Sequence, residues 1–207
     1  MKYKIVKFKN LDLALKQLEP FIRNGKHLHT GRPFKKFGGM RSRECLANWL
    51  LCVAINSSYP DRLTFTTSPD AVGGDGVIVD CVTNESWVTE HVAVLPPRGN
   101  AVAIAPNSET LVLNAIKNKQ NKGYAYASGK TLVVFLDSGL GKYYPNNIAN
   151  QMPKNISFNA VWVVGLHIVD EGKYVYNVVR LDLENGSCPV WQVHIAEDFH
   201  SWTVSTI

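Results

Sequence analysis

The feature that most constrains the fold is the segment TLVVFLD, residues 131–137, in which five apolar residues follow one another without a break. A strand that is apolar on both sides of its pleat has to be covered on both faces of its sheet. Helices provide such cover in α/β proteins. The segment therefore predicts an α/β (α+β mixed) protein with a central mixed β-sheet flanked by helices.

Three segments have the apolar spacing of helices. Residues 11–23 place leucines near helical spacing, with Pro20 as an interruption. Residues 42–56 are apolar on most sides, which predicts a largely buried helix with Ser42 as its N-cap. A further helix is predicted from about residue 108 to 120.

Strands are predicted wherever β-branched runs are bounded by turn residues. Three follow the buried helix and three close the chain, and they comprise residues 63–67, 76–83, 87–95, 158–169, 173–183 and 189–195. The turn at 170–173 predicts a hairpin. We interpret the chain as one domain made of an N-terminal helix and basic arm (1–40), a core (41–137) and a β-rich extension (138–207).

Charge and composition limit the partners only loosely. The 207 residues carry a net charge of +5 with a pI near 9.0, which permits an anionic partner such as nucleic acid without requiring one. The N-terminus has no signal-peptide core, and no run approaches the roughly 18 apolar residues of a membrane helix. We therefore expect a cytoplasmic protein with no membrane contact. Its cysteines, which form no C-x-x-C pattern, are expected to be buried apolar side chains: Cys45, Cys52, Cys81 and Cys188.

Two acids stand where neighbouring strands could bring them together. Asp75 opens one strand after a Gly-Gly pair, and Glu90 lies between apolar residues in the next. Metal-dependent phosphodiester chemistry needs carboxylates that converge in this way. A half-buried carboxylate such as Glu90 is costly without a partner, whereas Asp75 could also cap a turn. Asp80 is a competing acid on the opposite face of its strand.

Lys119 extends the apolar stripe of the helix 108–120 instead of its solvent face. A lysine on a buried face needs a carboxylate or a ligand anion. The alternative is a lysine that extends to solvent at the helix end, where a cation also suits the helix dipole. Lys122 lies one step further along the same side.

A basic stretch before the buried helix is a candidate nucleic-acid contact. Its cations alternate with Phe34 and Phe37, which suits phosphate contact plus base stacking, and a solvated loop explains the pattern almost as well. The cations of this stretch are Arg32, Lys35, Lys36, Arg41 and Arg43. The aromatic residues of the tail indicate a second packing layer or the contact of a homodimer.

The order of helix, three-stranded meander with Asp then Glu, helix and buried strand resembles the core of the PD-(D/E)xK nuclease superfamily, which includes many restriction endonucleases. The matching segments are GGDGVIVD, TEHVAV and AIKNKQNKGYAYASGKTLVVF, within residues 41–137. The resemblance implies a restriction endonuclease-like core acting on DNA. It also implies Mg²⁺ or Mn²⁺ held by Asp75 and Glu90 with Glu44 beside it, and catalysis by Asp75, Glu90 and Lys119.

The chain departs from this family at one position. The family's lysine stands two residues after the glutamate, where this sequence has Val92, and in some members it is thought to lie on the following helix. That arrangement nominates Lys119, with Lys122 as second choice. Three functions remain open: a metal-dependent nuclease, a non-catalytic module of the same fold that binds nucleic acid or protein, and a protein in which Glu90 and Lys119 form only an internal ion pair. In the last case Asp75 should point away from Glu90.

Overall fold

The computed structural model describes residues 10–30, 33–68, 75–95, 107–137 and 142–207. Within these ranges the helices are α1 (Leu11–Arg23), α2 (Lys26–Thr30), α3 (Ser42–Asn56), α4 (Ser108–Gln120), α5 (Tyr124–Ala127) and α6 (Pro145–Gln151). A short 3₁₀ helix spans Lys35–Phe37. None of the helices in the described ranges is long and apolar enough to cross a membrane.

Eight strands form one mixed sheet in the order of the chain. Strands β1 to β3 are antiparallel, β3, β4 and β5 run parallel, and β5 to β8 are antiparallel again. The strands are β1 (Leu63–Thr66), β2 (Gly76–Asp80), β3 (Ser86–Val94), β4 (Lys130–Leu136), β5 (Ala160–Asp170), β6 (Lys173–Arg180), β7 (Val190–Ile195) and β8 (Trp202–Thr206). The predicted mixed sheet with flanking helices is confirmed.

Strand β4 is buried on both faces, as its unbroken apolar run predicts. Val133 and Phe135 pack into the layer that contains α1 and α3, whereas Leu132, Val134 and Leu136 pack into the layer of α4 and α6. Each fully buried side chain of this kind contributes about 1.5–3 kcal/mol by leaving water. The strand thus joins the two apolar layers of the molecule.

Helix α3 is enclosed along nearly its whole length, as predicted, because its side chains are apolar on most sides. Its start differs from the prediction. Arg41, not Ser42, is the N-cap, and the Arg41 N–H donates to Glu44 Oε2 at 2.8 Å. Ser42 is the first helical residue and is itself fully buried. The first turn of α3 therefore presents an acid and a guanidinium side by side.

Helix α4 lies on the opposite face of the sheet. Its N-cap is Asn107, whose side chain accepts a hydrogen bond from the Thr110 N–H at 2.8 Å. Val112 and Ile116 are fully buried against β4 and its neighbours. The predicted bounds of this helix are confirmed to within a residue, and they set the direction in which Lys119 points.

The C-terminal strands continue the same sheet beyond β4. The predicted hairpin is confirmed, with Glu171 and Gly172 as its two-residue turn, both at positive φ. The strand β8 was not predicted. It pairs with β7, and Trp202 at its start lies edge-on to Trp49 of α3, with ring centroids 5.2 Å apart.

Two expectations for the N-terminal half are wrong. Phe37 is fully buried and stacks on Phe65 with ring centroids 6.1 Å apart, so it is not placed to stack on a base. Phe34 packs against Phe37, with ring centroids 5.0 Å apart, while Lys35 and Lys36 between them are exposed. Cys81 is exposed, whereas the other three cysteines are buried as predicted.

Candidate functional site

A cleft of about 740 Å³ opens where β3 continues without β2. Strand β3 pairs with β2 over Ser86–Thr89 only, but with β4 as far as Val94. Among the described residues, no strand therefore pairs with that side of β3 beyond Thr89. Side chains from both faces of the sheet reach this opening, which is how residues of α3 and α4 line one cleft.

Asp75 and Glu90 face one another across the start of β2. The β2–β3 ladder ends at the pair Gly76–Thr89, and Asp75 lies one residue beyond it, next to Glu90 and His91 of β3. Two hydrogen bonds fix this position: the Asp75 N–H donates to Thr89 O, and the His91 N–H donates to Asp75 Oδ2, each at 2.8 Å. Both carboxylates line the same cleft, and the charge of Glu90 acts on Asp75.

Glu90 is a buried carboxylate enclosed by cationic and hydroxyl groups. Lys119 Nζ lies 2.6 Å from Glu90 Oε1, and Lys130 Nζ lies 3.8 Å from Oε2. Burial raises the pKa of Glu90, but the hydrogen bonds from Lys119 and Tyr126 and the charges of the two lysines outweigh burial and hold it below its ordinary value. Glu90 is therefore ionised at neutral pH.

Lys119 reaches the carboxylate because it lies on the buried side of α4. Its side chain is 15% exposed, and Nζ also lies 3.2 Å from the Tyr126 hydroxyl. The amine thus stands between α4, α5 and the sheet, at the wall of the cleft. A purely structural role for Glu90 and Lys119 requires this ion pair. Asp75, however, lines the same cleft.

The pKa values of Glu44 and Asp75 are shifted in the direction opposite to that of Glu90. Burial raises the pKa of both carboxyls above the ordinary range, and like charge adds to it, from Asp75 on Glu44 and from Glu90 on Asp75. Hydrogen bonds from the N–H groups of Arg41 and His91 offset part of this effect. The cleft therefore holds two acids whose charge is disfavoured beside one that is held ionised.

The arginines of the basic stretch differ in their relation to this cleft. Arg43 is half-buried, lines the cleft and donates to the carbonyl oxygens of Leu28 and His29 at 3.4 and 3.3 Å. Burial and the neighbouring Arg41 lower its pKa, and the acids Glu44, Asp75 and Asp137 partly restore it. Arg41 is exposed at the cleft rim.

The remaining predicted cations lie elsewhere. Lys35 and Lys36 are exposed but are not among the described residues that line the cleft. Lys122 lines a neighbouring groove, with its amine 3.4 Å from the Tyr126 hydroxyl. Arg32 lies outside the described residues. The structure thus brings Arg41 and Arg43 to the acids, whereas Lys35, Lys36 and Lys122 do not line the cleft.

His91 is a neutral, buried side chain behind the acids. Its Nε2 lies 3.2 Å from Asn48 Oδ1 on α3, and burial lowers its pKa to about 3. The main chain of the same residue binds Asp75. The side chain therefore anchors β3 to α3 while its amide positions the acid. The expected structural histidine is found, at the base of the cleft.

Asp80, the competing acid, has a structural role at the other end of β2. It is 2% exposed, and its Oδ2 accepts from Arg62 Nε at 2.6 Å. Its Oδ1 accepts from the N–H groups of Val82 and Thr83 in the turn to β3. It therefore takes no part in the cleft.

Sequence reasoning did not select Tyr126 and Lys130. The amines of Lys119, Lys122 and Lys130 lie 5.8, 4.5 and 4.6 Å from the centroid of the Tyr126 ring. Four lysines and two tyrosines in the stretch 117–130 were the available signal, but their spacing does not show which of them meet. The packing of α5 against α4 brings Tyr126 to the amines.

The acids supply oxygen ligands, which Mg²⁺ and Mn²⁺ favour. In the described part of the chain, no three side chains of the His, Cys, Asp and Glu types are grouped as a metal-ligand set. Burial raises the pKa of Glu44 and Asp75 and like charge adds to the increase, and a divalent cation would offset that repulsion. The chemistry of the donors therefore fits such an ion.

No protein-family model matches the chain, and no curated protein or solved structure matches it significantly.

Proposed function

We propose that this chain is a metal-dependent nuclease, or nuclease-like protein, that acts on DNA. The observation that carries the proposal is that Asp75, directly before β2, and Glu90 of β3 line one cleft that also contains Glu44 and Lys119. Carboxylates from separate elements that converge with an amine match the requirements of metal-assisted phosphodiester hydrolysis.

The fold supports this class. Helix α3, the antiparallel strands β1 to β3, helix α4 and the parallel strand β4 follow in the order that the PD-(D/E)xK resemblance implies. Lys119 on α4 contacts Glu90, which is the contact expected if the family's lysine has moved from the strand position occupied here by Val92. We place the chain in this superfamily as part of the proposal.

In this proposal Asp75 and Glu90 hold Mg²⁺ or Mn²⁺, with Glu44 beside them. The ion supplies an activated water and offsets charge on the phosphate. Lys119 keeps Glu90 ionised and oriented and presents an ammonium group to the cleft, where it steadies the attacked phosphate. Arg41 and Arg43 contribute positive charge that attracts the DNA backbone at the opposite wall.

The test is cleavage of supercoiled plasmid DNA with Mg²⁺ or Mn²⁺. We expect Glu90→Gln, Asp75→Asn and Lys119→Met each to lower the cleavage rate at least about 100-fold, as loss of one group that stabilises a transition state does. Matched controls are Glu85→Gln, in the turn before β3, and Lys117→Met, on the exposed side of α4. Equal cleavage by all variants would assign the activity to another site or a contaminant.

A non-catalytic DNA-binding module is the second candidate. It is favoured by the enclosure of Glu90 by two lysines, which leaves this carboxylate already neutralised. Absence of cleavage by the wild-type protein, with plasmid DNA still retarded in a gel shift that Arg43→Ala weakens, would select this module over the nuclease.

A double-mutant cycle distinguishes a purely structural ion pair between Glu90 and Lys119 from the nuclease and from the DNA-binding module. Removing one partner leaves a buried charge, so Glu90→Gln and Lys119→Met should each lower the free energy of unfolding by about 1–3 kcal/mol. The double variant should recover part of that loss. Recovery of stability together with unaltered DNA cleavage or binding would support the structural role and contradict the nuclease.

A further inference from the structure

A second groove adjoins the candidate cleft. It lies between the C-terminal end of β3 and helix α4, has a volume of about 360 Å³, and shares Val92, Ala93 and Lys119 with the cleft. The two spaces therefore adjoin, and Lys119 of the Glu90–Lys119 pair lines both of them.

The groove combines an apolar floor with amides on its rim. Val94 and Leu111 belong to the floor. Asn114 and Asn118 are exposed and lie four residues apart, on one face of α4, and Lys122 lies a further four residues along. No acidic side chain is among the described residues that line it.

Positive charge is concentrated at one end of the groove. The amines of Lys119, Lys122 and Lys130 surround the ring of Tyr126. The first and third bind Glu90, whereas Lys122 forms no ion pair within the described residues. Three ammonium groups meet one ionised carboxylate, and Asp75 acts on Lys119 from the cleft, so positive charge exceeds negative charge at this end and favours a bound anion.

These three properties fit a nucleotide unit. An apolar floor can hold the face of an unpaired base, and the side-chain amide of asparagine offers both the donor and the acceptor that read a base edge. Lysine amines suit the adjoining phosphate. A base within a duplex exposes its edge but not its face, so the floor favours a single-stranded segment.

We propose that this groove binds the unpaired nucleotide next to the cleaved phosphate, with Asn114 and Asn118 reading its base and Lys122 holding its phosphate. This inference rests on the proposed function and deepens it by naming the substrate as DNA with a single-stranded segment at the site. It also assigns sequence preference to α4.

The test is fluorescence anisotropy of labelled dA, dC and dT oligonucleotides with EDTA present, so that binding is measured without cleavage. Asn114→Ala/Asn118→Ala should lower affinity at least about 10-fold for the preferred base and remove the preference, since one bidentate amide contact discriminates by that factor or more. Lys122→Ala should weaken binding of all three oligonucleotides alike and reduce the salt dependence by about one charge.

Matched controls are Asn150→Ala on α6 and Lys117→Ala on α4, both exposed and outside the two grooves. Alanine favours helix, so the variants should keep the wild-type melting temperature. Wild-type protein that binds no oligonucleotide and cleaves no plasmid would overturn this inference and the proposed function together. Metal-dependent cleavage by the wild type, with base preference unchanged in the double variant, would overturn this inference alone.

Discussion

Asp75 and Glu44 are acids whose ionisation is disfavoured by burial and by neighbouring negative charge. Glu90, which lines the same cleft, is held ionised by lysines. The three carboxyls therefore divide into one that stays charged and two whose charge depends on pH. In proteins that bind divalent ions, such a division couples metal affinity to proton release.

We predict that Mn²⁺ affinity rises with pH over a range that begins above the ordinary carboxyl value of about 4. The reason is that Asp75 and Glu44 must lose protons that the folded chain retains to a higher pH than an unfolded chain does. Isothermal titration at a series of pH values measures this dependence. Affinity that does not vary between about pH 4 and pH 7 would contradict it.

The stability of the metal-free protein should change with pH in the direction opposite to its Mn²⁺ affinity. Because the pKa of these two acids is raised in the folded state, the metal-free fold takes up protons relative to the unfolded chain. Its free energy of unfolding should therefore fall as pH rises from the ordinary value through the raised one. Asp75→Asn should weaken both pH effects, since it removes one of the two titrating groups.

At the scale of elements, the junction between β2 and α3 sets the position of Asp75. Gly76 begins β2 directly after this acid, and a Cβ built there would lie 2.4 Å from Asn48 Nδ2 on α3 and 3.1 Å from Thr89 Oγ1 on β3. Asn48 also contacts the His91 ring. The absence of a side chain at Gly76 therefore allows the strand and the helix to approach closely.

We predict that Gly76→Ala lowers the free energy of unfolding by about 1–3 kcal/mol, the usual cost of overpacking. It should also weaken metal binding, because α3 and β2 must separate at the site. Urea unfolding measures the first effect and titration the second. Gly25→Ala is the control, since a Cβ there meets nothing within 4 Å; equal behaviour of the two variants would refute the packing argument.

Sequence could predict those elements whose patterns are local. The run in β4 and the stripe of α4 are visible in consecutive residues, and both helix and strand lie where they were expected. Strand β8 was missed because its five residues, WTVST, contain few apolar ones and their pairing with β7 depends on the completed sheet. Phe37 was misplaced because its burial depends on contact with Phe65, far along the chain.

The candidate site was predictable only in part for the same reason. The alternation of β3 separates Glu90 from His91, and the stripe of α4 directs Lys119 inward. Lys130 and Tyr126 reach Glu90 because of the way α5 packs. The spacing of apolar residues in the sequence does not predict that packing. Their contribution to the charge of the site could therefore be found only from the fold.

At the scale of the whole molecule, the sheet runs without interruption from β1 to β8. Helix α3 contacts both ends of this arrangement, because it carries Glu44 at the cleft and Trp49 beneath Trp202 of β8. The C-terminal strands are thus coupled to the site through one helix. We expect the chain to unfold as a single cooperative unit.

We predict that Trp202→Ala lowers the free energy of unfolding by about 1–3 kcal/mol, less than the loss of a fully buried tryptophan. The whole transition should shift, whether it is followed by far-UV circular dichroism or by the fluorescence of the remaining tryptophans. The control is Ile207→Ala, a residue that is 76% exposed. Two separate transitions, with only one displaced by Trp202→Ala, would contradict a single unit.

The position of β4 has a consequence for the order of assembly. Strands β2 and β3 are joined by five residues and strands β5 and β6 by two, and hairpins of this kind form within microseconds. The parallel pairings on either side of β4 each require a longer excursion of the chain, and such distant contacts slow folding. We therefore expect the hairpins on the two sides of β4 to form first and β4 to insert between them last. The cleft beside β3 should form only after β4 has inserted.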